Sequence, residues 1–330
     1  TDIKVVHVFV SLTLLFVFIW IPEHVLSTSI FVFQGLAQVS PLLIPGIILA
    51  AWITASGLSR KVTAVFAKSN FIILLMVAAV GAVTPVCGVT VLPLMASLLA
   101  SGVPLYLVMA FWLSSPITDP AMFSVTAATL GINFAIGKMI GAFFLGIFGG
   151  VVTMWFSKRP WAISSLRDNA VVGSLGKNRC ESATTFYPAI WRVEDRKALF
   201  KKEAWVITRL VLLCLIPAFA AEYALNRVLQ PQAVSAFVGP DTWWSIPVAV
   251  LVGGPAYING YAALPLTRAL LDNGMSLGAA MAFLISGGAV SIWGAMAIFP
   301  VLKIRPFLLY ITLAMTGSLI VGWLFALFMR

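Results

Sequence analysis

Three stretches carry side chains able to bind or move something within an otherwise apolar chain. In Thr84-Pro85-Val86-Cys87-Gly88-Val89-Thr90, two hydroxyls and a thiol surround a proline and a glycine. Cys87 is the group able to contact a soft ligand such as a metalloid or a d10 metal ion. A single thiol with no second thiolate or histidine nearby is a poor chelator, and free cysteines also serve as small buried hydrophobes. In Ser114-Ser115-Pro116-Ile117-Thr118-Asp119-Pro120, the hydroxyls of Ser114, Ser115 and Thr118 and the carboxyl of Asp119 lie between two prolines in mid-span. An ionisable group at that depth is expensive and is by default a functional candidate, for carrying a proton or pairing with a cation. The third stretch runs from Gly253 to Tyr261 and offers Tyr257, Asn259 and Tyr261 without a thiol. Asn259 can both donate and accept, and each tyrosine could wall a ligand or simply pack. Ser286, Gly287, Gly288 and Ser291 answer the Ser114 stretch with small groups that would widen a cavity.

Glu222, five residues after Pro217, is a second candidate for proton coupling beside Asp119. Lys138 lies near a span start and is expected to snorkel toward the headgroups. Arg268 and Asp272, four apart, read as a local pair, and His7 as a packed residue. No histidine falls in mid-span to serve as a base and no phosphate-binding loop is present, so no catalytic residue is assigned, an enzyme is not expected, and no cofactor is called for.

The elements that must hold these groups are helices in a membrane. Of 330 residues, 61% are hydrophobic and 10% charged, and several apolar runs exceed the ~18 residues needed to cross a bilayer. The net charge of +10 resides in short inter-helix loops, where it sets orientation; nucleic-acid binding is not expected. Cys87, Cys180 and Cys214 are odd in number and scattered, so they make no disulfide framework. The partners expected are the lipid bilayer and a small-molecule or ion substrate, and a homo-oligomer is compatible with the chain.

Much of the sequence is stated twice. A shift of 172 places Leu92-Pro93-Leu94 on Leu264-Pro265-Leu266 and Met109-Ala110-Phe111 on Met281-Ala282-Phe283. Between residues 92 and 114 it yields eleven identities in 23 ungapped positions, which marks an internal repeat.

The expected order begins with an extra N-terminal span in residues 1–30, about Val5 to Ile21, read as a retained anchor. The first repeat occupies residues 31–157, a basic cytoplasmic linker residues 158–202, and the second repeat residues 203–330. Phe71 to Ala100 is divided near Pro85 and Pro93 into pieces too short to cross alone, so it is one broken span or a re-entrant hairpin. The linker stretch Ser157 to Lys202 holds ten Lys or Arg and far fewer acids. It is cytoplasmic only if Phe71 to Ala100 is re-entrant, which selects the hairpin. Three crossings per half then make the second repeat inverted, with its hairpin, about Trp243 to Leu271, entering from the opposite face. The fold class is an all-α polytopic membrane protein of two inverted repeats, each with a re-entrant broken-helix hairpin, an architecture of secondary transporters. The segment from Phe186 to Arg192 onward reads as a short surface helix at the headgroups.

At Thr84-Pro85-Val86-Cys87-Gly88-Val89-Thr90-Val91-Leu92-Pro93-Leu94, with Gly102-Val103-Pro104 and Ala110-Phe111 to Ser114-Ser115-Pro116, the chain resembles the predicted permease family that includes the ArsP organoarsenical efflux permeases and YraQ. The resemblance implies export across the bacterial inner membrane of soft, thiol-reactive species such as trivalent organoarsenicals or heavy metals. Cys87 matches the family's first tip cysteine. Val89 stands where many members have a second one, and Tyr257-Ile258-Asn259 holds none, which leaves one-thiol contact or a different small solute.

The leading reading is a proton-coupled permease with alternating access around a midplane site. That site would comprise Thr84, Pro85, Cys87, Gly88, Thr90, Ser114, Ser115, Thr118, Tyr257, Asn259, Tyr261 and Ser286, with Asp119 and Glu222 carrying protons. A passive channel is the alternative, because half-helices entering from both faces also line pores. A permease for an unrelated small solute is another.

Overall fold

A computed structural model describes residues 25–57, 71–84, 91–100, 102–167, 187–228, 244–256, 260, 263–291, 294–295, 298–299 and 301–329. The expected N-terminal span Val5 to Ile21 lies outside them. Among the described residues the ordered elements are helical. In chain order they are α1 (Val25–Ser56), α2 (Phe71–Val83), α3 (Val91–Ala100), α4 (Leu105–Ser114), α5 (Pro120–Leu130), α6 (Ile132–Trp155) and the single turn α7 (Pro160–Ile163). A 3-10 turn (Ile190–Arg192) leads to α8 (Glu194–Val228), α9 (Ser245–Ala256), α10 (Ala263–Asp272), α11 (Leu277–Ala289) and α12 (Ile304–Phe328). Of these, α6 and α12 are long and apolar enough to cross a membrane.

Local chemistry sets the helix ends. Helix α2 stops at Thr84, whose amide donates to Val80 O (3.0 Å) and Gly81 O (3.1 Å) and whose hydroxyl also donates to Val80 O. Pro85 follows, and the residue before a proline is disfavoured in the helical region. Helix α3 ends in a left-handed Gly102 (φ 86°), with Gly102 N donating to Leu99 O (3.0 Å) and Val103 N to Leu98 O (3.1 Å). This glycine-closed cap reverses the chain into α4 within four residues. Helix α10 ends in the same way: Gly274 has φ 95°, and the amides of Gly274 and Met275 donate to Leu271 O and Leu270 O, both at 3.0 Å.

The shift of 172 residues also relates features of the packing. Helices α3, α4 and α6 start at Val91, Leu105 and Ile132, and the repeat shift carries these positions onto the starts of α10, α11 and α12 at Ala263, Leu277 and Ile304. Gly150 packs on Leu74 and Ala110, and Gly322 on Ile246 and Ala282. The N-cap of α5 is Asp119, whose Oδ1 accepts from Met122 N at 2.8 Å; Ser291 Oγ accepts from Gly294 N at 3.0 Å. Each of these residue sets maps onto its counterpart by the same shift.

Helices in corresponding places run antiparallel to one another. Along α6 and α12, Gly137 faces Phe325, Gly141 faces Val321 and Leu145 faces Gly317. Along α1 and α8, Gly35 lies against Phe219, and the rings of Phe31 and Tyr223 are 5.5 Å apart. Helices α4 and α11 sit at the centre: the residues of α11 from 278 to 289 are all buried, as are those of α4 apart from the half-buried Phe111. The outer surface is apolar, with Leu26, Phe33, Trp155, Leu327 and Phe328 exposed, as expected of side chains solvated by lipid.

The segment before α8 packs on the end of α1. Tyr187 N donates to Ser56 O (3.0 Å), Trp52 Nε1 to Pro188 O (3.2 Å), and the Arg196 guanidinium to Ser56 O (3.1 Å). A cation thus caps carbonyls that α1 leaves without an internal partner. Only Ile190–Arg192 of the expected surface helix is a 3-10 turn, and α8 itself begins at Glu194, inside the basic linker. Farther along, Arg167 N donates to Val301 O and Lys303 N to Ser165 O, both at 2.9 Å, joining the end of the first half to the start of α12.

Candidate functional site

The break between α4 and α5 brings together the polar groups expected in mid-span. Ser114 is fully buried, and its hydroxyl donates to Ala110 O (2.9 Å) and Phe111 O (3.1 Å). Ser115 and Thr118 are buried at 2% and 4% exposure, so the break is inside the protein rather than against lipid. There its irregular backbone can be tolerated. Asp119 is half-buried and holds the first turn of α5 through Met122 N, with Pro120 pre-set for the first helical position.

Ser114 is pressed against α2 at Gly81, where a Cβ would collide with Ser114 Oγ and stand 2.9 Å from Phe111 O. Glycine is required by this close approach. Ser286 stands in the same relation to Gly253, where a Cβ would collide with Ser286 Oγ and stand 2.8 Å from Phe283 O. Ser286 Oγ donates to Phe283 O at 3.2 Å. Each serine therefore sits where a helix of a broken pair crosses the central helix.

Lys138 departs from its expected place. It does not snorkel: it is 1% exposed, on the buried stripe of α6 that continues through Ala142, Leu145 and Gly149. Its neighbour Gly137 faces Met281 and Phe325, so α11 and α12 pack beside this part of α6. Helices α4 and α6 are antiparallel, since Gly146 lies beside Ser114 and Gly150 beside Ala110. The eight residues from Gly146 back to Lys138 span ~12 Å, past the end of α4 to the level of the break. Asp119 belongs to that break, at the head of α5, which packs on α6. Among the described residues, Lys138 Nζ nevertheless has no hydrogen-bond partner. A buried charge without a partner costs several kcal/mol.

The repeat shift lays Lys138 on Tyr310 of α12. Tyr310 too is fully buried, its hydroxyl donates to Ala289 O at the end of α11, and its ring stacks on Trp112 at 4.7 Å and 23°. The hydroxyl finds a carbonyl at the end of its central helix; the ammonium finds none. Of the other candidates, Thr84 caps α2 and is half-buried. Pro85, Cys87, Gly88, Thr90, Tyr257, Asn259 and Tyr261 lie outside the described residues. Glu222 lies on α8, and its side chain is outside them. Arg268 and Asp272 pair at 3.1 Å on the exposed surface, as their spacing suggested. Among the described residues, no three His, Cys, Asp or Glu side chains gather to hold a metal. A cavity of about 400 Å³ lies away from the break, lined by Trp161, Arg167, Lys303, Ile304 and Arg305.

Helices with apolar outward faces, two of them among the described residues long and apolar enough to cross a bilayer, and a buried break bearing Ser114, Ser115 and Thr118 make this a membrane protein. A family model described as a predicted permease, ArsP_1, matches residues 27–327. The chain belongs to that permease family. It is similar to the UPF0718 protein MJ0584 of Methanocaldococcus jannaschii, 26% identical over 141 residues, covering 43% of this chain and 39% of that protein. It is also similar to the UPF0718 protein YcgR of Bacillus subtilis, 29% identical over 108 residues, covering 33% of this chain and 36% of that protein. The matched segments thus span well under half the length of these relatives. No solved structure matches the chain.

Proposed function

We propose that the chain is a multi-pass secondary active permease of the bacterial inner membrane, built from two inverted repeats and coupled to protons. It exports a small soft or thiol-reactive solute, a trivalent organoarsenical or heavy metal ion, by alternating access around a site between the repeats. The observation that carries the reading is the antiparallel crossing of α6 and α12, helices whose starts correspond under the repeat shift, with Leu145 meeting its own counterpart Gly317 at the crossing. A two-fold axis in the membrane plane would produce this contact, and half-helices meeting around such an axis are how secondary transporters bind near the midplane. Rocking of one repeat against the other would then expose the same site to either face.

In this reading α2 with α3, and α9 with α10, are the re-entrant hairpins. Their tips supply Cys87, with Thr84, Pro85, Gly88 and Thr90, from one side and Tyr257, Asn259 and Tyr261 from the other. The break supplies Ser114, Ser115, Thr118 and Ser286. Cys87 makes the soft contact, and Asp119 and Glu222 carry protons. The cations Arg167, Lys303 and Arg305 around one cavity favour the cytoplasm for the start of α12.

The test is transport in proteoliposomes under an imposed pH gradient. Wild type and Cys87→Ser are compared on a trivalent phenylarsenical, on Zn2+ and on an uncharged control solute. Gradient-driven movement of the arsenical or the metal that is lost in Cys87→Ser supports the reading. Equal movement of all three solutes, or none, overturns it.

A further inference from the structure

The two halves share a frame and differ in charge at one place. Where the second half has Ser291 as the cap and Tyr310 as the buried group at the break, the first half has Asp119 and Lys138. Neutral groups fill both roles in one copy, so the fold itself does not require the charges. Lys138 is nine-tenths buried and more, its Nζ has no hydrogen-bond partner among the described residues, and it stands at the level of a buried helix break lined by hydroxyl-bearing side chains. An ammonium has three donors and no acceptor, so what completes it is an acceptor, and a negatively charged one is favoured in a place closed to water.

We propose that Lys138 is an anion-binding group, taking a small carboxylate or comparable oxyanion at the α4–α5 break, and that this anion and a proton on Asp119 bind together. The inference rests on the permease reading for its purpose. With Asp119 ionised, the two side chains balance and the site accepts no further charge cheaply. Once a proton reaches the Asp119 carboxylate, Lys138 is left uncompensated and recruits the anion. In both states the buried site is neutral, so neither leaves a lone charge inside the bilayer. Asp119 keeps its capping bond to Met122 N in either state, since a carboxylic acid retains an oxygen that accepts. The titratable side chains on the helices packed against α6 are Tyr106 on α4 and Tyr310 and Arg305 on α12. The antiparallel packing puts all three toward the other end of α6, leaving Asp119 as the acidic neighbour of Lys138 among the described residues.

The negative group could be a free inorganic or organic anion, or part of the transported solute. Both are tested on the purified full-length protein in detergent, where no gradient or transport is needed. Thermal unfolding is followed in formate, chloride and thiocyanate against gluconate, and separately with phenylarsonous acid against its 4-carboxy derivative. Wild type, Lys138→Met, Lys138→Arg and Asp119→Asn are compared. Lys138→Met removes a buried charge and keeps the volume, so it is expected to fold.

The expected result is an anion-dependent rise in unfolding temperature that Lys138→Met loses, Lys138→Arg keeps in part, and Asp119→Asn reaches at about tenfold lower anion concentration, the reciprocal effect required of linked sites. A response to formate, chloride or thiocyanate assigns a free anion. A response confined to the carboxylated arsenical assigns a group on the solute. Equal responses in wild type and Lys138→Met, or no tightening in Asp119→Asn, would overturn the proposal. Because binding is read without transport, Lys138-dependent binding by a protein that moves nothing in proteoliposomes would sink only the permease reading.

Discussion

Lys138 and Tyr310 stand 172 residues apart on antiparallel helices, both fully buried, and only the tyrosine has a hydrogen-bond partner among the described residues. The Tyr310 hydroxyl ties α12 to the last carbonyl of α11, while its ring lies on Trp112 of the first half. One side chain thus holds a break closed within its own half and packs across to the other. Replacing Tyr310 by Phe keeps the stack and strands the Ala289 carbonyl, which should cost about 1–3 kcal/mol. Urea unfolding in mild detergent reads this, and an unchanged midpoint would mean that Ala289 O has another donor.

Gly81 and Gly253 make the same demand at corresponding crossings. Alanine at either meets a serine oxygen and, within 3 Å, a backbone carbonyl that cannot rotate away. Overpacking of this kind costs about 1–3 kcal/mol, and the two variants should lose similar amounts. Ser114→Ala should recover only part of the loss in Gly81→Ala, because Phe111 O stays in place. Thermal unfolding of the single and double variants decides between full and partial recovery.

Asp119 caps α5, and in the proposed permease it also carries a proton, two roles that substitution can separate. Asn and Ser both cap helices as well as Asp does, so in a Lys138→Met background, where no ammonium is left uncompensated, Asp119→Asn and Asp119→Ser should stay within about 1 kcal/mol of that background in stability. Serine is what the second half uses at Ser291. Both variants remove the charge, and both should lose gradient-driven transport by about tenfold or more, the lower end of the usual general acid-base contribution being larger still. Retained coupling in either would move the proton to Glu222.

Arg196 joins the linker to the end of α1 through Ser56 O. Arg196→Ala should loosen this contact and cost about 1.5–3 kcal/mol, the usual worth of a hydrogen bond to a charged group. Limited proteolysis near residues 187–196 should quicken while α6 and α12 stay protected; no change in cleavage would show that Tyr187 N and Trp52 hold the linker alone.

Composition and apolar length were enough to read helices, and proline and glycine marked their interruptions. The break at Ser114 to Asp119 and the end of α2 at Thr84 fall where the sequence placed them, because prolines and N-caps act locally. Lys138 was not legible in the same way. Its distance from the start of α6 is compatible with snorkelling, and whether a long side chain reaches outward depends on which neighbour covers it. Here α11 and α12 pack beside this part of α6, with Met281 and Phe325 against Gly137. The shift of 172 carries the signal, since it lays Lys138 on Tyr310, an unlike pair of polar residues in two largely apolar helices. Burial on one helix is decided by the other, which no single-helix pattern contains.

The inverted relation between the halves is tested most directly by asking which face of the membrane each reaches. Asn133 and Arg305 are exposed, correspond under the repeat shift, and lie one residue into α6 and α12. Single cysteines are placed at each in a chain whose Cys87, Cys180 and Cys214 are serine, and intact cells are treated with a membrane-impermeant maleimide before and after permeabilisation. Inverted repeats require Asn133→Cys to label in intact cells and Arg305→Cys only after permeabilisation. Labelling of both from the same face would contradict the inverted arrangement and, with it, the alternating-access site between the halves.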